Sequence, residues 1–158
     1  MMRFTRTGAL ASAFAVALIL SGCGVSVPAD PQGTFDRVQN GALRVGASIE
    51  DGLVVDVDGE LVGPLVDLVE EFADRHDAEV QWTVGSEESL VDALDRGELD
   101  LVVGGMTPDT PWIDQAGATR GYPVTTPRGE HEMVMLVPLG ENRFLTELET
   151  FLDEEVGG

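Results

Sequence analysis

The heptapeptide LDLVVGG, residues 99–105, restricts the folds open to this chain more than any other stretch. Its residues up to Val103 are apolar except Asp100, and a run that short and that apolar fits a strand covered on both faces. Such a strand needs a helix above the sheet and another below it, and the preceding residues supply both. LRVG, residues 43–46, reads as a first strand. Residues 53–57 and 60–62 flank Asp58-Gly59, a pair suited to a two-residue turn with positive φ, and predict a small hairpin. Pro64 fits the first position of a helix running to about His76, with Leu65, Leu68, Val69 and Phe72 on one face. Residues 80–84 alternate as a strand, with Val80, Trp82 and Val84 on one face. Ser86 caps a second helix to Arg96, closed by Gly97. Strand, helix, strand, helix, strand predicts an α/β layer with parallel pairing.

Beyond the apolar run, prolines and glycines between Met106 and Gly129 predict a loop with one short helical turn. HEMVMLVP, residues 131–138, returns to strand, and residues 142–155 form a helix whose Phe144, Leu145, Leu148, Phe151 and Leu152 repeat at helical spacing. Residues 23–41, with Pro28, Pro31, Gly33 and Gly41, read as a flexible tether, so the fold is expected over residues 42–155.

Residues 1–22 have the layout of a secretion signal: Arg3 and Arg6, then an apolar stretch too short to span a bilayer, then small residues. Leu20-Ser21-Gly22-Cys23 is similar to the lipobox of bacterial lipoproteins, which implies cleavage before Cys23 and lipid on its sulfur and new amino terminus. More than one acyl chain is the condition for stable membrane attachment. The single cysteine is then used as an anchor, leaving no disulfide.

The chain carries 29 acidic residues against 9 basic ones, none of them lysine, and a formal charge of -20. Phosphate would be repelled, which argues against nucleic acid as a partner. His76 and His131 have no obvious serine or cysteine partner, and no glycine-rich phosphate loop opens a helix, so neither catalytic residues nor a cofactor are expected. The DVDGE stretch at residues 56–60 would put Val54 in the first calcium-ligand position. In a regular strand, Glu130 and Glu132 fall on the face opposite His131. No metal site is expected from either.

LRVG, GELVGPLVDLVEEFADR at residues 59–75, LVDALDRGELDLVVGGMT at residues 90–107 and PLGENRFLTELETFL at residues 138–152 together resemble the extracellular solute-binding proteins that feed polar amino acids to ABC importers. The resemblance implies a three-layer α/β lobe with a mixed, mostly parallel sheet. Family members have two such lobes that close on a ligand, joined by crossing strands; this chain is about half the usual length, and residues 122–130 stand where the second lobe would be inserted. PLGEN and the amphipathic helix behind it favour a return strand and so a deleted second lobe, the alternative being that residues 131–138 are only the first crossing strand of a truncated protein. The family's T-P-E-R loop, whose arginine grips the ligand's α-carboxylate, corresponds here to Thr107-Pro108-Asp109-Thr110, so that forked donor is missing. Arg120 is the nearby candidate to replace it.

A pocket at the carboxyl ends of the parallel strands would gather Ser48, Glu50, Asp51, Gly105, Met106, Thr107 and Trp112, with Glu50 and Asp51 favouring a cationic group. The resemblance implies a lipid-anchored, extracytoplasmic binding module for a small amino-acid-like or cationic solute, with a membrane permease as partner. The alternative is an accessory lipoprotein that has lost ligand binding and docks to a transporter or to a second copy of itself.

Overall fold

In this computed structural model residues 29–157 are described; the signal stretch and Cys23 lie outside them. Helix α1 (Thr34–Val38) leads into strand β1 (Ala42–Ala47), which is followed by the hairpin of β2 (Val55–Val57) and β3 (Glu60–Val62). Helix α2 (Pro64–Arg75), strand β4 (Glu79–Val84), helix α3 (Glu87–Asp95) and strand β5 (Leu101–Val103) come next. A 3-10 turn (Pro111–Asp114) precedes β6 (Ala116–Ala118), β7 (Tyr122–Thr126), β8 (Gly129–Met133), β9 (Leu136–Pro138) and helix α4 (Asn142–Glu155).

Strands β1 and β5 lie inside a five-stranded sheet of order β4-β1-β5-β9-β6. The β1 pairs with β4 and β5 are parallel, whereas β9 runs antiparallel to both β5 and β6. This is the three-layer α/β lobe expected, with a mixed sheet in which all strands but β9 point the same way. One face carries Leu43, Val45 and Val103 against Leu65, Val69 and Phe72 of α2 and Phe144 and Leu148 of α4. The other carries Val102 and Leu136 against Leu90, Val91 and Leu94 of α3. All three residues of β5 are fully buried, as the apolar run demands. Gly46 lets α3 approach β1: a Cβ there would lie 2.8 Å from Leu99 Cδ1 and 2.9 Å from Leu90 Cδ2. Asp58 (φ 56) and Gly59 (φ 91) make the expected β2–β3 turn. Ser86 Oγ accepts the Ser89 N–H at 3.3 Å, capping α3.

Three expectations are corrected. The fold starts upstream of Ala42: α1 packs into the core through Phe35 (2% exposed) and Val38 (0%), so residues 34–41 are part of the lobe rather than of a tether. Glu141, more than a hundred residues away, accepts the N–H groups of Gln32 at 2.8 Å just before the helix and of Thr34 at 2.9 Å at its start. Residues 106–129 hold β6 and β7 as well as the helical turn. Pro123 hides β7 from sequence rules, yet it is tolerated because β7 pairs only with β8. Residues 131–138 do not form one strand: the ribbon strand β8 ends at Met133, and β9 begins at Leu136 in the main sheet. Val84 stays 52% exposed at the end of β4.

Candidate functional site

The chain after β1 turns sharply. Ser48 N–H still extends the ladder to Val103 C=O at 2.9 Å, and then Leu53 and Val54 N–H donate back to Glu50 C=O at 3.0 and 2.9 Å. That closed turn projects Glu50 and Asp51 from the carboxyl end of β1. Beside it, β5 is followed by Gly104-Gly105, where side chains would crowd the turn: a Cβ on Gly104 would sit 2.8 Å from Ser48 Cβ, and one on Gly105 3.2 Å from Glu50 Oε2. The Glu50 carboxylate thus lies against bare backbone, and Thr107 follows on the same rim.

The β7–β8 ribbon closes the third side. Its turn runs through Pro127-Arg128, between the paired residues Thr126 and Gly129. The Thr126 hydroxyl accepts the Arg128 N–H at 3.1 Å and donates to Gly129 C=O at 3.0 Å. Arg128 reaches across to form an ion pair with Asp51. Where the resemblance implied two crossing strands and a second lobe between them, this short turn joins one strand to the next.

These elements surround a cavity of about 200 Å³ lined by Glu50, Asp51, Gly105, Thr107, Thr126 and Arg128. His131, Leu53 and Met133 complete the wall. Larger depressions exist elsewhere on the lobe, but this one lies at the carboxyl ends of the parallel strands and brings carboxylates, hydroxyls and a guanidinium together. Its volume falls below the ~300–1,000 Å³ that encloses a drug-sized ligand, so it accommodates a small polar solute or one end of a longer one.

Of the residues the sequence nominated, Glu50, Asp51, Gly105 and Thr107 lie on this cavity and four do not. Ser48 packs behind Gly104. Met106 (2% exposed) points into the core beneath α3. Trp112 leans on that same core, and its indole N–H donates to Glu87 Oε2 at 3.2 Å. Arg120 sits against α4, where it pairs with Glu149 at 3.4 Å and Asp153 at 2.8 Å, so it does not replace the missing carboxylate donor. The Tyr122 hydroxyl accepts from Arg120 and donates towards Asp153 and the Glu149 carbonyl, which ties β7 to α4, and burial with the hydrogen bond to Asp153 pushes that hydroxyl up to about 12. Thr110, in the position of the family arginine, is 7% exposed with its hydroxyl unbonded, and it points no donor into the cavity.

Sequence reasoning missed Leu53, and with it Thr126, Arg128, His131 and Met133 of the ribbon, on the cavity wall. The signal was present in the alternation of Tyr122, Val124 and Thr126 and in Pro127-Arg128-Gly129 as a hairpin turn, but Pro123 masked it. Among the described residues no group of three or more metal-ligating side chains comes together, and no helix is long and apolar enough to cross a membrane.

The sequence profile of the bacterial extracellular solute-binding proteins, family 3, matches residues 43–150. No curated protein sequence gives a significant match. Among solved structures, the arginine-bound form of domain 1 from TmArgBP superposes with a TM-score of 0.65 at 24% identity, covering 75% of this chain and 97% of that one. An ancestral cationic amino acid solute-binding protein gives 0.63 at 13% identity, over 77% of this chain and 92% of its own. The arginine-bound form of a truncated ArgBP from T. maritima gives 0.60 at 15% identity, over 76% and 99%. At these identities the likeness establishes the fold, and the coverage shows that one lobe accounts for it.

Proposed function

The chain belongs to the bacterial extracellular solute-binding proteins, family 3, and on that premise we propose that it is a one-lobed receptor for a small amino-acid-like solute carrying a cationic group. The observation that carries this reading is the cavity at the ends of β1 and β5, where Glu50 and Asp51 face Thr107 across bare Gly105 backbone. The carboxylates attract an ammonium or guanidinium group, and Thr107 with the exposed backbone supplies hydrogen bonds. The arginine-bound state of an isolated domain 1 in a structural neighbour supports the idea that one lobe can retain such a solute. In this reading Cys23 carries the lipid that holds the receptor on the extracytoplasmic face of the membrane, beside the permease of an ABC transporter to which it passes the solute.

A second reading is supported by the pairing of Asp51 with Arg128 and by Thr110 in place of the family's carboxylate-gripping arginine. The half-site is then already satisfied internally, and the lobe is an accessory lipoprotein that docks to a transporter or to a second copy. Calorimetric titration with amino acids and polyamines, with sedimentation alongside, separates the two. The receptor reading expects heat with arginine, lysine or a polyamine at about millimolar affinity, because one lobe leaves much of the ligand wet, or tighter binding by a dimer that rebuilds a cleft. A monomer giving no heat with any solute leaves only the docking reading.

A further inference from the structure

Strand β4 is an edge of the main sheet, and among the described residues no strand pairs with its outer side. Glu79 N–H donates to Gly41 C=O at 2.8 Å and Gly85 N–H to Ala47 C=O at 3.2 Å, so the odd-numbered residues face β1. By alternation, the backbone N–H and C=O of Val80, Trp82 and Val84 point away from the sheet, unpaired. Edge strands of this kind are normally blunted by a bulge, a proline, a covering loop or a lysine, and among the described residues β4 shows none of these.

The side chains beside that edge form two adjoining depressions of about 480 and 400 Å³ that share Glu70 and Trp82. Their apolar floor includes Leu61, Val62, Val66, Trp82 and Val84, with Val84 52% and Val62 39% exposed. Their rims carry Asp56, Glu60, Asp67, Glu70, Asp74 and Glu79, and neither is lined by an arginine or histidine. No residue is shared with the solute cavity. A second copy of this chain is a poor occupant, since pairing two β4 edges would bring two such carboxylate rims together on a chain of charge -20.

We propose that the β4 edge is a docking groove for an extended, lysine- or arginine-bearing segment of another protein, which adds a sixth strand beside β4. Main-chain bonds to Val80, Trp82 and Val84 supply register; alternate side chains of the guest fill the apolar floor, and its cations meet the carboxylate rim. The surface is independent of solute binding.

The test uses a synthetic peptide of alternating lysine and valine, a control peptide of equal length and charge in which prolines replace valines, and the Trp112→Phe protein, in which Trp82 is the only tryptophan. The expected result is a Trp82 fluorescence change and slowed amide exchange at Val80, Trp82 and Val84 with the first peptide and not with the second. Val84→Pro, which removes an outward N–H that no internal ladder uses, and Glu70→Lys with Glu79→Lys on the rim each weaken binding about tenfold or more. Circular dichroism of the variants controls for folding. Equal binding by the proline-containing control, unchanged exchange at those amides, or no binding by either peptide would overturn the proposal.

Discussion

Arg44 holds Asp100 in a fork: its Nη2 lies 2.6 Å from Oδ1 and its Nε 2.9 Å from Oδ2 of a carboxylate that is fully buried at the head of β5. Arg37 of α1 adds a third contact at 2.8 Å, and the Arg44 backbone N–H a fourth at 3.0 Å. This one acidic side chain therefore ties α1, β1 and β5 together at the amino end of the sheet.

Burial alone would raise the Asp100 carboxyl above its ordinary value of 3.8, but the Arg44 side chain and backbone N–H, with Arg37, outweigh that and hold it lower. Its folded value lies below its unfolded one, so its contribution is complete above about pH 4 and is lost as pH falls through the lower folded value. Urea unfolding should show Asp100→Asn destabilised by about 3 kcal/mol at pH 7, the lower end for breaking a buried pair, since both arginines keep access to water. The gap between variant and wild type should narrow below pH 4; a gap that stayed constant would remove the charge from the explanation.

Glu141 is 1% exposed and accepts the N–H groups of Gln32 and Thr34. Asp30 works in parallel, taking Phe35 N–H at 2.6 Å and Phe144 N–H at 3.4 Å, so each helix end is capped by residues from the other's neighbourhood. Glu141→Gln should cost about 2 kcal/mol, the value of charge-assisted bonds lost in a buried place. Amide exchange at Gln32 and Thr34 should rise and tryptic cutting after Arg37 should speed up. Unaltered exchange would mean that Phe35 and Val38 hold α1 by packing alone.

Arg128 and Asp51 are both largely exposed, so their ion pair is a weak latch across the cavity, worth about 0.2–1 kcal/mol. If the cavity binds a cationic solute, Arg128→Ala frees Asp51 and should tighten the affinity up to about fivefold. Asp51→Asn should weaken it, and raised salt should weaken binding by wild type and by Arg128→Ala. Calorimetry on the three proteins reads this order directly; Arg128→Ala binding more weakly than wild type would instead make Arg128 a ligand contact.

Cys23→Ala should move the protein from the membrane fraction to the soluble one in its native host. A variant that still pelleted with lipid would exclude the thiol as the anchor.

Much of the lobe was legible along the chain. The β5 run, the Ser86 cap, Pro64 at the start of α2 and the Asp58-Gly59 turn are local devices, each acting within a few residues. The parts that were misread share one property, which is that distant residues satisfy them. α1 has too few residues to be stable alone and owes its form to Glu141 and the core. β7 carries a proline that local rules read as a breaker, yet Tyr122 and Val124 are buried by the packing of the ribbon on the lobe.

What the sequence determined by itself was the order and kind of the main elements, the acidic surroundings and half of the cavity rim, because Glu50, Asp51, Gly105 and Thr107 follow directly from the ends of two recognisable strands. Only the tertiary structure decided which arginine reaches that rim. Arg120 and Arg128 are close in sequence, but the path of the β7–β8 ribbon sends the first to Asp153 of α4 and the second to Asp51. Composition fixes how many charges a chain has to pair, whereas the partner of each depends on where the backbone carries it.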